Sequence, residues 1–197
     1  MQLQSPPGRL QLLLQRTAEE VFEPDAAPDA PFVRFAAYSA HQRVFGWVRL
    51  QADRLTDLLN AHDELHLMDV ELESLTDGLV GMVDEVVIHR RDLIAVQASE
   101  PRGNVARRQA TRTHPIAVQS GNYLISGYLH VPPGVEPVES AKARPAMIPL
   151  TDALIEYWVH GKREHQSIGT IVFNRDAADW MRIVSHEDLI EGLLRPE

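Results

Sequence analysis

The chain contains no cysteine, and that single absence removes several chemistries at once. Disulfides, thiolate nucleophiles and cysteine-ligated zinc or iron–sulfur centres are excluded. Long apolar runs are missing too: none approaches the roughly 20 residues that a membrane-spanning helix needs. The opening stretch MQLQSPPGRLQLLLQ has no basic segment ahead of its apolar residues and no small-residue cleavage site after them. No secretory signal is therefore expected, and a cytoplasmic location is the default. Positive charge is in deficit: 19 Lys and Arg against 28 Asp and Glu give a formal charge of −9. Such a balance disfavours a whole-surface grip on DNA or RNA. Glycine is sparse and scattered over 11 positions, and neither a glycine-rich phosphate loop nor a G-x-S-x-G nucleophile elbow is present.

What is present is ample core material, with 44% of residues apolar and 24% charged, as in an ordinary soluble globular protein. Residues 1–30 read as an amphipathic helix followed by a proline-rich tether. Leu10, Leu13, Leu14, Ala18, Val21 and Phe22 fall on one helical stripe, and Pro24, Pro28 and Pro31 stiffen the tether. Such a helix either docks on its own body or meets a protein partner, and its stripe is one candidate binding surface. Residues 100–113 form a basic linker holding Arg102, Arg107, Arg108 and Arg112. It reads as a solvated connector, with phosphate contact as the alternative. Residues 185–197 open with Ser185 and Asp188 in an S-x-x-D cap, which predicts a short C-terminal helix.

The segments on either side of the linker, 31–99 and 114–184, echo one another. Each opens with a strand, a polar turn and a second strand that carries a glycine followed by an aromatic, Gly46–Trp47 and Gly127–Tyr128. Each continues with a short strand bearing an aspartate, Asp69 or Asp152, and closes with an apolar strand interrupted by a polar turn, read as a hairpin. The glycines lie 81 residues apart, the aspartates 83, and Arg90 and Arg175 85. That register predicts an internal duplication. About five short strands in each half are too few for a sandwich and suit a small, strongly bent barrel. The expected fold class is mainly β with minor α: two tandem, partly open β-barrels with helices at both chain ends.

The order of a glycine–aromatic strand, an apolar strand ending in an acid, and EVVIHRRDLIAV resembles Sm-like and related SH3-like small barrels. The asparagine and arginine–glycine nucleic-acid motifs of that family are absent, so the resemblance implies a fold and no function. Gly46 to Leu50, RLTDLLN (Arg54 to Asn60) and LHLMDVEL together resemble an uncharacterised bacterial domain family with a glycine-led strand, an arginine-led helix and an acid-ended strand. The second half keeps both strands but has PPGVEPVESAKARP where the helix stood, with proline in place of the helical stripe.

Candidate sites are few. HDELH places His62 and His66 at zinc-protease spacing, but Asp63 holds the position of the glutamate base and falls about 1.5 Å short, one bond length. Asn60 is expected to cap a short helix, which puts His62 after the helix and His66 within a strand, so no metal site is expected. HGKREH (His160 to His165) has one residue too many for an inverted zincin and reads as a hairpin loop. Asp69 and Asp152 are read as repeat-equivalent structural acids, and Arg54 and Asp57 as an i, i+3 pair. Trp47, Tyr128, Tyr157, Trp158 and Trp180 are read mainly as core or rim packing, with an aromatic binding patch on one exposed face as the alternative. No cofactor is implied. The leading expectation is a non-catalytic assembly, adaptor or regulatory subunit with a protein partner or a homo-oligomeric state. The alternative is a nucleic-acid or nucleotide module using the linker arginines, and the third is a metal-dependent enzyme.

Overall fold

A computed structural model describes residues 30–98, 110–159 and 161–189. The expected stripe of Leu10, Leu13, Leu14, Val21 and Phe22 lies outside them, as do Arg102, Arg107 and Arg108. The elements in chain order are β1 (Phe32–Ser39), β2 (Gln42–Arg49), α1 (Leu55–Ala61), β3 (Glu64–Ser74), β4 (Val80–His89), β5 (Leu93–Gln97), β6 (Arg112–Ser120), β7 (Tyr123–Val131), α2 (Pro137–Lys142), β8 (Met147–Val159), β9 (Lys162–Asn174) and β10 (Trp180–Ile183). No described helix is long and apolar enough to cross a membrane.

The protein is mainly β, and the ten strands of the described residues form one antiparallel sheet in the order β10-β6-β7-β8-β9-β5-β1-β2-β3-β4. Among the described residues the sheet is not closed, and β4 and β10 are its two ends. In each half the last strand returns beside the first, β5 against β1 and β10 against β6. The expected terminal hairpins do not form. Short 3₁₀ turns at Arg90–Asp92 and Arg175–Ala177 instead carry β5 away from β4 and β10 away from β9.

The second half also keeps its helix, contrary to the reading of PPGVEPVESAKARP. Pro137 sits at the first helical turn, where its missing N–H costs nothing, and the Glu136 carboxylate accepts from the Glu139 N–H at 2.7 Å. Proline there starts a helix and does not prevent one. Leu55, Leu58 and Leu59 of α1 are buried as their spacing predicts.

Strand β7 alternates strictly, with Tyr123, Ile125, Gly127, Leu129 and Val131 inward, the period of a one-sided strand. In β3 the alternation breaks. Leu65 and Leu67 face the core, Met68 and Asp69 are both exposed, and Val70 and Leu72 face the core again. Strict alternation would put Val70 on the face of His66; one extra residue at Asp69 shifts the register and turns Val70 inward. The β5–β9 ladder is the wall between two cores. Ala95 and Phe173 belong to the core of the second half, and Val96 and Val172 to that of the first.

Candidate functional site

His62 is the residue that ends α1, and His66 lies in β3, as the sequence placed them. Both line a shallow hollow of about 240 Å³ together with Arg49, Glu64, Met68 and Glu85. His66 Nδ1 lies 3.8 Å from a Glu85 carboxylate oxygen, and His89 Nδ1 lies 3.4 Å from Glu64. Asp63, the position of a zincin base, is committed elsewhere: it accepts from Arg90 Nη2 at 2.5 Å. Among the described residues no group of three His, Asp or Glu side chains could hold a metal ion.

Arg90 Nη1 also donates to the carbonyls of Leu59 and Asn60 at 3.4 and 3.3 Å, satisfying the open C-terminus of α1. Arg175 does the same for α2, donating to the carbonyls of Lys142 at 2.7 Å and Arg144 at 2.5 Å. The expected capping role of Asn60 is thus taken by an arginine. Asn60 instead grips the second half: its Nδ2 donates to the Met147 carbonyl at 2.9 Å and its Oδ1 accepts from the Met147 N–H at 3.0 Å.

Asp69 and Asp152 are the two non-glycine residues with positive φ among those described, 50° and 47°. Each is exposed, and neither carboxylate has a hydrogen-bond partner among the described residues. Their shared role is conformational. Aspartate tolerates the left-handed region, where a bulge needs it, at an exposed position that wants a polar side chain. Arg54 and Asp57 form the expected pair, bidentate at 2.9 and 3.0 Å. Arg112 is exposed at the start of β6, opposite Val131. HGKREH is mostly strand and not loop, because pairing of β8 with β9 continues out to Val159 and Lys162; His160 lies outside the described residues. Among the aromatics, Tyr157 is buried while Trp47, Trp158 and Trp180 are exposed.

A polar cluster at the centre of the molecule escaped the sequence reading. Tyr38, Tyr123 and Tyr157 meet with ring centroids 5.5 to 5.7 Å apart. Arg43 Nη1 donates to the Tyr157 hydroxyl at 2.8 Å, its Nη2 pairs with Glu73, and the Tyr123 hydroxyl donates to the Ser39 carbonyl at 2.6 Å. Burial pushes the Tyr38 phenol up to about 12 and raises those of Tyr123 and Tyr157 as well. Burial opposes the charge of Arg43, but Glu73 together with Tyr157 and Tyr38 offsets it, and the guanidinium is held more firmly protonated than usual. Burial breaks alternation at Ala37–Tyr38 and at Glu156–Tyr157, so of the three tyrosines only the inward position of Tyr123 was readable. Their meeting was not, because it joins β1, β7 and β8 of different halves.

The feature that most invites an outside contact is the free edge at β4. Its sequence VGMVDEVVIH holds no lysine, arginine or proline, and its charge is confined to Asp84 and Glu85 at its middle. Leu79, Val80, Met82 and Val87 are exposed along it, with Met68 on neighbouring β3. Comparison with family models, curated proteins and solved structures finds no match for this chain.

Proposed function

We propose that this chain is a non-catalytic assembly subunit that works through protein–protein contacts at its sheet edges, and that it is built from two copies of one five-strand unit. The carrying observation is the free edge of β4, where exposed apolar residues flank Asp84 and Glu85. A ten-residue strand with open backbone groups and exposed Val80, Met82 and Val87 invites pairing with another chain. The duplication is supported by the common strand order, by the paired Gly46–Asp69 and Gly127–Asp152 bulges, and by the matching helix caps of Arg90 and Arg175. The likeness to Sm-like small barrels is supported in the same way, by two bent five-strand meanders whose last strand returns beside the first.

The test is the native mass of the protein in an extract of cells that make it. The expected result is a complex heavier than one chain. Removing residues 1–30 separates the two candidate surfaces: a complex that survives the deletion assigns the contact to the sheet edges, and one that falls to single chains assigns it to the N-terminal segment and overturns the sheet-edge reading. A single-chain mass for the intact protein overturns the reading.

A further inference from the structure

The junction inside the chain supplies a template for what covers its free edges. There β5 and β9 pair with Ala95 opposite Phe173, Val96 opposite Val172 and Gln97 opposite Ile171. β9 is the fourth strand of its half and β5 the fifth of the other half. The same two places in the opposite halves are held by β4 and β10, the two ends of the sheet. The 85-residue offset of Arg90 and Arg175 makes Val87 the counterpart of Val172, and Met181 the counterpart of Val96. The ladders agree: Val96 faces Ala37 and Met181 faces Val118, which are offset by 81 like Gly46 and Gly127.

We propose that β4 of one copy pairs antiparallel with β10 of a second copy of this chain, with Trp180 opposite Ile88, Met181 opposite Val87 and Arg182 opposite Val86. This rests on the protein-contact reading above and names its partner.

Backbone polarity supports the register independently. The Arg90 N–H donates to the Asp63 carbonyl at 2.7 Å, so strand alternation turns the N–H and C=O of Val87 away from β3, toward the free edge. The Val184 N–H donates to the Pro115 carbonyl at 3.0 Å, which by the same alternation turns those of Met181 away from β6. The Ala98 N–H donates to the Thr170 carbonyl at 3.0 Å, making Val96 and Val172 the hydrogen-bonded pair of the internal junction. The residues that point outward on the two free edges are therefore the ones the internal register sets opposite each other. A shift by one residue would lose that match.

Burial and charge point the same way. Val172 and Ala95 are 0% exposed at the internal junction, whereas their counterparts Val87 and Trp180 are 46% and 41% exposed. In the proposed register Arg182 stands diagonal to Asp84 of the second copy, within reach of its long side chain. Pairing β4 with β4 in full overlap would instead set Asp84 opposite Glu85 of the second copy. The contact is head-to-tail, and such contacts close into rings or extend as filaments according to the rotation between copies.

The absence of cysteine makes the test clean. Full-length Ile88→Cys and Trp180→Cys proteins, mixed and mildly oxidised, should give a disulfide-linked dimer that neither gives alone. Theirs is a non-hydrogen-bonded rung, with Cα atoms about 4.5 Å apart, within disulfide reach. Met82→Cys mixed with Trp180→Cys is six residues out of register and should give none. If Ile88→Cys fails to fold, Val87→Cys with Met181→Cys reads the adjacent rung. Val87→Pro removes an N–H that β3 does not use, so it should keep the fold and weaken self-association by roughly tenfold or more. A dimer from Ile88→Cys alone overturns the proposal. So does a heavier-than-single-chain native mass with no cross-link in either mixture, and in that case the protein-contact reading still stands. A single-chain native mass overturns both.

Discussion

Gly46 of β2 lies against the bulge at Asp69 of β3 so closely that a Cβ on it would sit 3.0 Å from the Met68 carbonyl oxygen and 3.2 Å from a Val70 methyl. Gly127 stands in the same relation to Asp152, with a built Cβ 3.1 Å from the Thr151 carbonyl and 3.2 Å from the Ala153 Cα. Glycine and aspartate are thus two parts of one bend. The glycine lets the backbones approach, and the aspartate takes the left-handed residue that the extra position requires.

The consequence is a ranking of substitutions by backbone tolerance and not by charge. Asp69→Asn should change stability by less than about 0.5 kcal/mol, because asparagine also accepts positive φ and the carboxylate holds no described partner. Asp69→Val should lose about 1–3 kcal/mol, because a β-branched residue resists that conformation. Gly46→Ala should lose a similar amount, about 1–3 kcal/mol, by overpacking against backbone. Urea unfolding midpoints measure all three. An Asn variant as damaged as the Val variant would mean that the charge matters after all.

Asn60 gives a second prediction, on the union of the two halves. Both of its hydrogen bonds go to the backbone of Met147, a residue 1% exposed that contributes to the first half's core. Asn60→Ala leaves a buried N–H and C=O without those partners and should cost about 1–3 kcal/mol. Asn60→Asp keeps the acceptor and loses the donor, so it should fall between Ala and the native protein. Denaturation followed by circular dichroism reads both. An Ala variant within experimental error of the native protein would show that Asn60 does not join the halves.

The two glycine–aspartate bends and the two capping arginines were legible because their markers are local: a glycine ahead of an aromatic, an aspartate in a strand, an arginine after one. Each is set by a backbone demand within a few residues, and each survives in sequence at nearly constant offset. The α1 leucines were legible for the same reason. What failed was long-range. Nothing near Arg90 reveals that the next strand returns to β1 and leaves β4 paired on one side only, so a turn between two apolar runs looked like a hairpin. Pro137 misled in the opposite direction: proline excludes a helix interior, but the first helical turn accepts it. The tyrosine cluster needs strands of both halves to meet, and no spacing rule reaches from Tyr38 to Tyr157. At the zinc-like stretch the spacing was real and its meaning was not, since Asp63 serves the arginine that caps α1.

The tyrosine cluster makes stability depend on alkaline pH. In the folded protein burial holds the Tyr38 phenol up to about 12, and those of Tyr123 and Tyr157 are raised by the same cause, against an ordinary value of 10.0. The folded state therefore keeps protons that the unfolded chain releases near pH 10. The stabilisation is fully present below about pH 10 and is lost as pH rises through about 12, because there the unfolded state gains by ionising while the folded state does not. The urea midpoint should accordingly decline between roughly pH 10 and 12. The 295 nm absorbance of these three phenolates should appear together with loss of the β signal in circular dichroism. Tyr38→Phe removes one of the three groups and should flatten the decline, though it also leaves Gln97 without the hydroxyl it donates to at 2.7 Å. Phenols that ionise near pH 10 with the β signal intact would mean that the cluster is open to water, and the account of it as a buried clasp between the halves would fail.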